Sequence, residues 1–254
     1  MAEPALSTRG LTWRVGEVEI VSRIDLDLAP GEFLGVIGPN GAGKTSLFNL
    51  VSGLRRPTAG TVSLRGADIT ALAPHQRARR GLGRTFQSSS VFGSLTVREN
   101  VRLAVQAHRG GSLALWRRAS AYREVWAAAD RALDTVGLAH RGDALAGTLA
   151  HGEKRKLEIA LLLAGEPTVM LLDEPMAGVS AEDVPELVAV IRALTRGAGA
   201  SGRSVLMVEH HMDVILELAD RIAVMHHGAL LACDTPRAVM AHAGVQEAYL
   251  GEGL

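Results

Sequence analysis

The chain has 254 residues, in which 27 Lys and Arg balance 27 Asp and Glu, with 47% apolar and 21% charged side chains. That length suits one large domain, or a domain carrying a substantial insertion, with enough chain to bury a core, and the composition is globular rather than disordered. Zero net charge argues against a nucleic-acid partner, which normally needs a basic field.

The first twenty residues contain no apolar run of signal-peptide type. Residues 26–28 and 33–37 are predicted strands, with a turn at Pro30-Gly31 between them. The second strand runs into Gly38-Pro39-Asn40-Gly41-Ala42-Gly43-Lys44-Thr45-Ser46, and a helix over 45–52 follows, ended by Gly53. Gly38-x4-Gly43-Lys44-Thr45 is a phosphate-binding loop. Glycines let successive backbone N–H groups curl around a polyphosphate, and the helix adds its positive N-terminal end. Lys44 supplies a mobile cation for the β- and γ-phosphates, and Thr45 offers a hydroxyl to Mg²⁺. Only Lys44, Lys154 and Lys156 are lysines among the 27 basic residues. No Asn is followed by Lys, so the guanine-reading Asn-Lys-x-Asp motif is missing, which argues against a GTPase.

After a short strand at 61–64 the texture changes. Residues 88–149 are rich in Ala, Leu and Arg and read as an inserted all-helical subdomain, with a break at Gly110-Gly111. Tyr122 and Trp126, four apart, share a helix face with Arg117, Arg118 and Arg123 nearby. That face is either a docking surface for a membrane partner or packing of the insertion on itself. The richest apolar run, 159–164, is far too short to cross a bilayer.

Helical runs at 157–164 and 184–194 flank a strand at 169–172, and further strands lie at 205–208 and 222–225. Ala198 to Gly202 is expected to be a flexible loop. A hairpin turning at His227-Gly228 carries Cys233, the single cysteine, which excludes an internal disulfide and a cysteine-based zinc site and fits a reducing setting. Thr235-Pro236 opens a last helix in cap-then-proline order. Alternating strands and helices imply an α/β core with a mostly parallel sheet. The 169–172 strand ends in Asp173-Glu174, where ligands sit in such sheets. Asp173 is placed to hold a Mg²⁺ shell and Glu174 to orient or deprotonate an attacking water.

With GPNGAGKTS and LLDEP in place, the chain resembles the ATP-binding subunits of ABC transporters. Thr85-Phe86-Gln87 is similar to that family's Q-loop, Leu149-Ala150-His151-Gly152-Glu153 stands in its signature slot, Met176 to Ser180 in its D-loop, and Val208-Glu209-His210 in its switch-histidine segment. The resemblance implies the P-loop core of the ABC ATPase type, with an N-terminal antiparallel β region and an inserted helical subdomain in one nucleotide-binding domain. It implies ATP and Mg²⁺ as cofactors and head-to-tail closure of two subunits, identical or paralogous, on two ATP molecules. The signature residues Ala150, His151, Gly152 and Glu153 of one subunit then face the phosphate loop of the other. Gln87 joins Thr45 and Asp173 around Mg²⁺, and His210 rather than His211 holds the γ-phosphate and Glu174 together.

Two segments depart from the family pattern. Ala150 stands where the signature usually has Ser, removing a hydrogen bond to a charged group worth roughly 1.5–3 kcal/mol. The adenine-stacking aromatic is also displaced: its usual slot falls on Val15, with Trp13 as the alternative, and on an extended segment both share one face.

Gly83-Arg84-Thr85-Phe86-Gln87, His-Gly in the signature slot, Met-Ala-Gly after the acidic pair and the Tyr249-Leu250-Gly251 ending resemble the branched-chain amino-acid uptake ATPases. The urea and short-amide uptake ATPases are similar. This branch implies two membrane-spanning permeases, an external solute-binding protein and a peripheral position on the cytoplasmic face of the inner membrane. The competing classes are a DNA- or ribosome-associated ABC protein, which usually has a long coiled coil or two cassettes, and a non-catalytic module that only gates its partners. Lys154 and Lys156 are expected on a solvated helix face.

Overall fold

The computed structural model describes residues 3–85, 91–109, 119–195 and 202–250. In chain order its elements are β1 (Leu6–Val15), β2 (Val18–Leu28), β3 (Phe33–Ile37), α1 (Lys44–Ser52), β4 (Ala59–Leu64), β5 (Ala67–Asp68), α2 (Pro74–Arg79) and β6 (Leu82–Arg84). There follow α3 (Val97–Arg109), α4 (Ala119–Thr135), α5 (His151–Leu163), β7 (Val169–Asp173), α6 (Val184–Thr195), β8 (Ser204–Val208), α7 (Met212–Leu218), β9 (Arg221–His226), β10 (Ala229–Asp234), α8 (Pro236–Met240) and α9 (Ala243–Leu250).

The chain divides into two compact units. The first comprises residues 1–84, 168–174 and 194–254 and holds both sheets. One sheet is antiparallel, in the order β2-β1-β4-β5; the other runs β10-β9-β3-β8-β7-β6 and is parallel except for the β9–β10 hairpin. Every residue of β3, β7 and β8 is buried, the continuous apolar pattern of parallel strands covered on both faces. The core runs from Leu11 and Val62 of the antiparallel sheet, through Leu47, Phe48, Leu50 and Val51 of α1, to Val36, Leu171 and Leu206 of the parallel one. Each such side chain contributes about 1.5–3 kcal/mol on full burial. The α/β core, the antiparallel region and the mostly parallel sheet thus follow the expectation. β1 and the short α2 and β6 were not legible as separate elements, and β2 extends well upstream of the expected 26–28. Thr235 caps α8, its Oγ1 accepting from the Ala238 N–H at 3.4 Å. Of the expected loop after α6, residues 198–201 lie outside the described residues.

The second unit, residues 85–167 and 175–193, contains α3, α4, α5 and most of α6. The insertion expected at 88–149 lies in it together with the signature segment. Trp126 is half-buried, with the guanidinium carbons of Arg98 and Arg102 of α3 at 5.2 and 5.4 Å from its ring centroid. It therefore packs the insertion against itself. The Tyr122 side chain, Arg117 and Arg118 lie outside the described residues.

Lys156 corrects an expectation. It is 6% exposed, and its ammonium meets Glu186 Oε1 at 2.5 Å. α5 buries the face that carries Leu157 and Ala160, and the aliphatic stem of Lys156 is drawn in beside them while its head reaches a carboxylate.

Candidate nucleotide site

In the first unit, β3, β8 and β7 are parallel neighbours, with Val36 and Asp173 both paired to Val208. The phosphate loop after β3, Glu209-His210 after β8 and Glu174 after β7 therefore emerge along one carboxyl edge, the ligand-binding edge of an open α/β sheet.

The loop's conformation depends on its glycines. Gly38 has φ 151°, and a Cβ there would stand 2.1 Å from the Met225 carbonyl oxygen; Gly43 has φ 97°, and a Cβ would stand 2.7 Å from the Ile20 oxygen. Gly43 is the N-cap of α1 and offers no side-chain acceptor, so the first N–H groups of the helix are left for an anion. Pro39 and Ala42 are buried, Asn40 and Gly41 exposed, and Thr45 and Ser46 half-buried. The buried Lys44 ammonium donates to the carbonyls of Gly38 and, at 2.9 Å, Pro39.

Asp173 is buried at the end of β7, where Arg84 Nη2 donates to its Oδ2 at 2.7 Å. Burial pushes its carboxyl above the ordinary carboxylate range, and Arg84 opposes the shift. Glu174 has φ 47°, a left-handed conformation that costs a non-glycine residue roughly 1–3 kcal/mol. Its N–H donates to the Val208 carbonyl at 2.9 Å. That turn aims the side chain at His210, whose Nε2 lies 3.0 Å from Glu174 Oε1. His211 is exposed and is the N-cap residue of α7. Glu209, named in the sequence only as part of the switch-histidine segment, was given no role of its own. It is 3% exposed, and its Oε2 accepts from the N–H groups of His210 and His211 at 2.9 and 3.3 Å, fixing the turn that presents His210. The available signal was a carboxylate ending an all-apolar strand. Gln87 lies outside the described residues.

The signature and D-loop segments meet within the second unit. α5 begins at His151, six residues before the helical run expected at 157–164. Ala150 is its N-cap, so only half a capping box exists: Glu153 Oε2 accepts from the Ala150 N–H at 3.0 Å, while Ala150 offers no side-chain acceptor. Glu153 also pairs with Arg141 at 3.1 Å. A Cβ on Gly152 would stand 2.9 Å from Asp183 Oδ2, and one on Gly178 would stand 2.8 Å from His151 Nε2. Arg155 Nη2 donates to the Ala177 carbonyl at 3.1 Å. The signature helix and the D-loop are thus interlocked.

Trp13 and Val15 do not share one face as expected. The pairing of β1 with β2 shifts register between Trp13 and Arg14, which interrupts the alternation of an extended strand. Trp13 packs on the core, with Arg55 at 5.7 Å from its ring, whereas Val15 is 54% exposed.

The donor chemistry fits Mg²⁺. Among the described residues no group of three or more His, Cys, Asp or Glu side chains could hold a metal alone. Mg²⁺ is usually bound through one or two protein oxygens, with waters and phosphates completing its shell. The Thr45 hydroxyl and Asp173 carboxylate are hard oxygen donors of that kind.

The family model for ABC transporters matches residues 21–177. The chain is 38% identical, over 99% of its length and 100% of the relative's, to the high-affinity branched-chain amino acid transport ATP-binding protein LivG of Escherichia coli (strain K12). It is 37% identical to the corresponding protein BraF of Pseudomonas aeruginosa, with the same coverage. A crystal structure of the ADP conformation of an ATP-binding cassette of an ABC transporter superposes with a TM-score of 0.84 at 27% identity, covering 98% of this chain and 99% of the other. The chain belongs to the ABC transporter family, as one of its ATP-binding ATPase subunits.

Proposed function

We propose that this chain hydrolyses ATP to drive an importer of small solutes, branched-chain amino acids foremost, on the cytoplasmic face of the inner membrane. The observation that carries the catalytic reading is the Glu174–His210 contact on the same sheet edge as the phosphate loop. The loop amides, the α1 N-terminus and Lys44 hold the triphosphate. Thr45, Asp173 and Gln87 would hold Mg²⁺, which would neutralise charge on the phosphate oxygens. Glu174 accepts the proton of the attacking water, and His210 holds the Glu174 carboxylate in line. The signature residues Ala150 to Glu153 act on the nucleotide of a second ATPase subunit, the same or paralogous. The likeness to transport ATP-binding proteins supports separate permease subunits for membrane passage, fed by an external solute-binding protein; among the described residues no helix is long and apolar enough to cross a membrane.

The solute class rests on the likeness to LivG and BraF along nearly the whole chain. Reconstitution with the cognate permeases and binding protein tests it: leucine, isoleucine or valine should stimulate ATP hydrolysis and accumulate in vesicles. Stimulation by urea or a short amide alone would replace the amino-acid reading with the amide one.

A further inference from the structure

Arg84 has no role in the mechanism above, yet it is the hub of a buried polar network. Its side chain is 10% exposed. Nη1 donates to Asn49 Oδ1 and Ser52 Oγ, both at 2.8 Å, and Nη2 to Asp173 Oδ2 at 2.7 Å. The guanidinium carbon lies 5.9 Å from the Phe48 ring centroid. Asn49, Ser52 and Phe48 all belong to α1, the helix that starts in the phosphate loop. Arg84 itself ends β6, paired with Leu171 of β7, two residues before Asp173 and so on the same side of the strand.

The geometry points to Arg84 as the positioning residue that fixes the Asp173 carboxylate relative to α1, so that the carboxylate and the phosphate-binding helix form one rigid piece. The inference rests on the reading of Asp173 as a Mg²⁺ ligand. A planar fork with five donors spreads over acceptors on two elements in a fixed geometry, whereas a lysine offers three donors from a single rotatable nitrogen. A buried ion pair adds little net stability compared with apolar residues of the same volume. Its value here is geometric: Mg²⁺ demands near-ideal octahedral placement of its ligands.

The test uses the full chain and a fluorescent ATP analogue, titrated in EDTA and across Mg²⁺ concentrations, with melting temperatures alongside. Arg84→Met should raise the Mg²⁺ midpoint for enhanced nucleotide binding about tenfold, with affinity in EDTA changed less than twofold. Arg84→Lys should recover part of the shift. Asn49→Ala should shift the midpoint about threefold, because Asp173 keeps its partner but the partner loses an anchor. If Arg84→Met fails to fold, the Lys and Asn49 variants carry the test. Equal losses of affinity with and without Mg²⁺ would show a merely structural clamp and overturn the inference. Asp173→Asn separates the two readings. An unmoved midpoint there sinks the ligand assignment and this inference with it, whereas a moved midpoint beside unmoved Arg84 and Asn49 variants sinks this inference alone.

Discussion

His210 Nε2 stands 3.0 Å from Glu174 Oε1, although 36 residues separate them. Strand register brings them together: Asp173 pairs with Val208, so the residue after one and the second residue after the other leave the sheet side by side. The left-handed turn at Glu174 and the Glu209 carboxylate beneath His210 complete the aim. Glu174→Gln preserves shape and can still meet His210 but cannot take a proton. Steady-state phosphate release by the transporter should fall about 100- to 10,000-fold, while equilibrium ATP affinity stays within twofold. Turnover preserved in this variant would remove Glu174 from the base role. His210→Ala should lose a similar factor, and the double variant little more, because residues acting as a unit are non-additive.

The close fit between Gly152 and Asp183 predicts a second phenotype. A methyl group at 152 would stand 2.9–3.0 Å from the Asp183 Oδ2, Cβ and Cγ atoms. Relief means moving Asp183 and breaking the 2.8 Å hydrogen bond it accepts from Ser180 Oγ in the D-loop. Gly152→Ala should therefore cut ATPase activity of the assembled transporter about tenfold or more while leaving nucleotide affinity of the isolated chain within twofold. Adding Asp183→Ala removes two of the three close contacts and should restore part of the activity. No recovery in the double variant would place the defect elsewhere.

The phosphate loop and the acidic strand end were legible because each is a local pattern: glycine spacing, and an apolar run ending in carboxylates; the preference for His210 over His211 came only from the family resemblance. What stayed hidden depends on long-range placement. Nothing in the spacing of Arg84, Asn49 and Asp173 indicates that one guanidinium joins them, since that follows from β6 lying beside β7. The burial of Lys156 follows from how α5 packs within its unit, and a lysine reads as exposed by type alone. The bulge near Trp13 defeated the two-residue alternation on which the shared face with Val15 depended.

Cys233 gives a pH-dependent test of local packing. Burial pushes its thiol above the ordinary range, and Arg221, whose Nη2 donates to Sγ at 3.0 Å, opposes the shift. A raised folded pKa means that less thiolate is present at pH 8 than in the unfolded chain. Iodoacetamide should therefore alkylate the native protein more slowly than the denatured protein. By the same sign, this group's contribution to stability is lost as pH rises above the unfolded thiol's value. Arg221→Ala should slow native alkylation further unless it opens the site. Faster alkylation with unchanged backbone exchange around β9 and β10 would contradict the assignment of Arg221 as the thiolate-favouring neighbour.

Arg77 closes the other end of the phosphate-binding helix. It is 1% exposed, and its guanidinium donates to the carbonyls of Leu50 at 2.8 Å, Val51 at 2.6 Å, Thr70 at 2.8 Å and Leu72 at 3.0 Å. Two of those are terminal carbonyls of α1, the negative end of the helix dipole. Gly53 follows with φ 81°, where a Cβ would stand 2.7 Å from Arg77 Nε, so the chain leaves the helix by the one residue type that admits the guanidinium. Burial lowers the Arg77 pKa to about 10, so the group stays charged at neutral pH. Arg77→Met leaves several buried carbonyls without this donor and should cost about 2–4 kcal/mol, which at roughly 2–4 °C per kcal/mol lowers the melting temperature by about 5–15 °C. Arg77→Lys can reach one or two of the four acceptors and should recover less than half. Because the defect lies at the far end of α1 from the phosphate loop, ATP affinity well below the melting temperature should change less than threefold. A large affinity loss without a melting shift would show that Arg77 acts on the nucleotide site itself rather than on the helix that supports it.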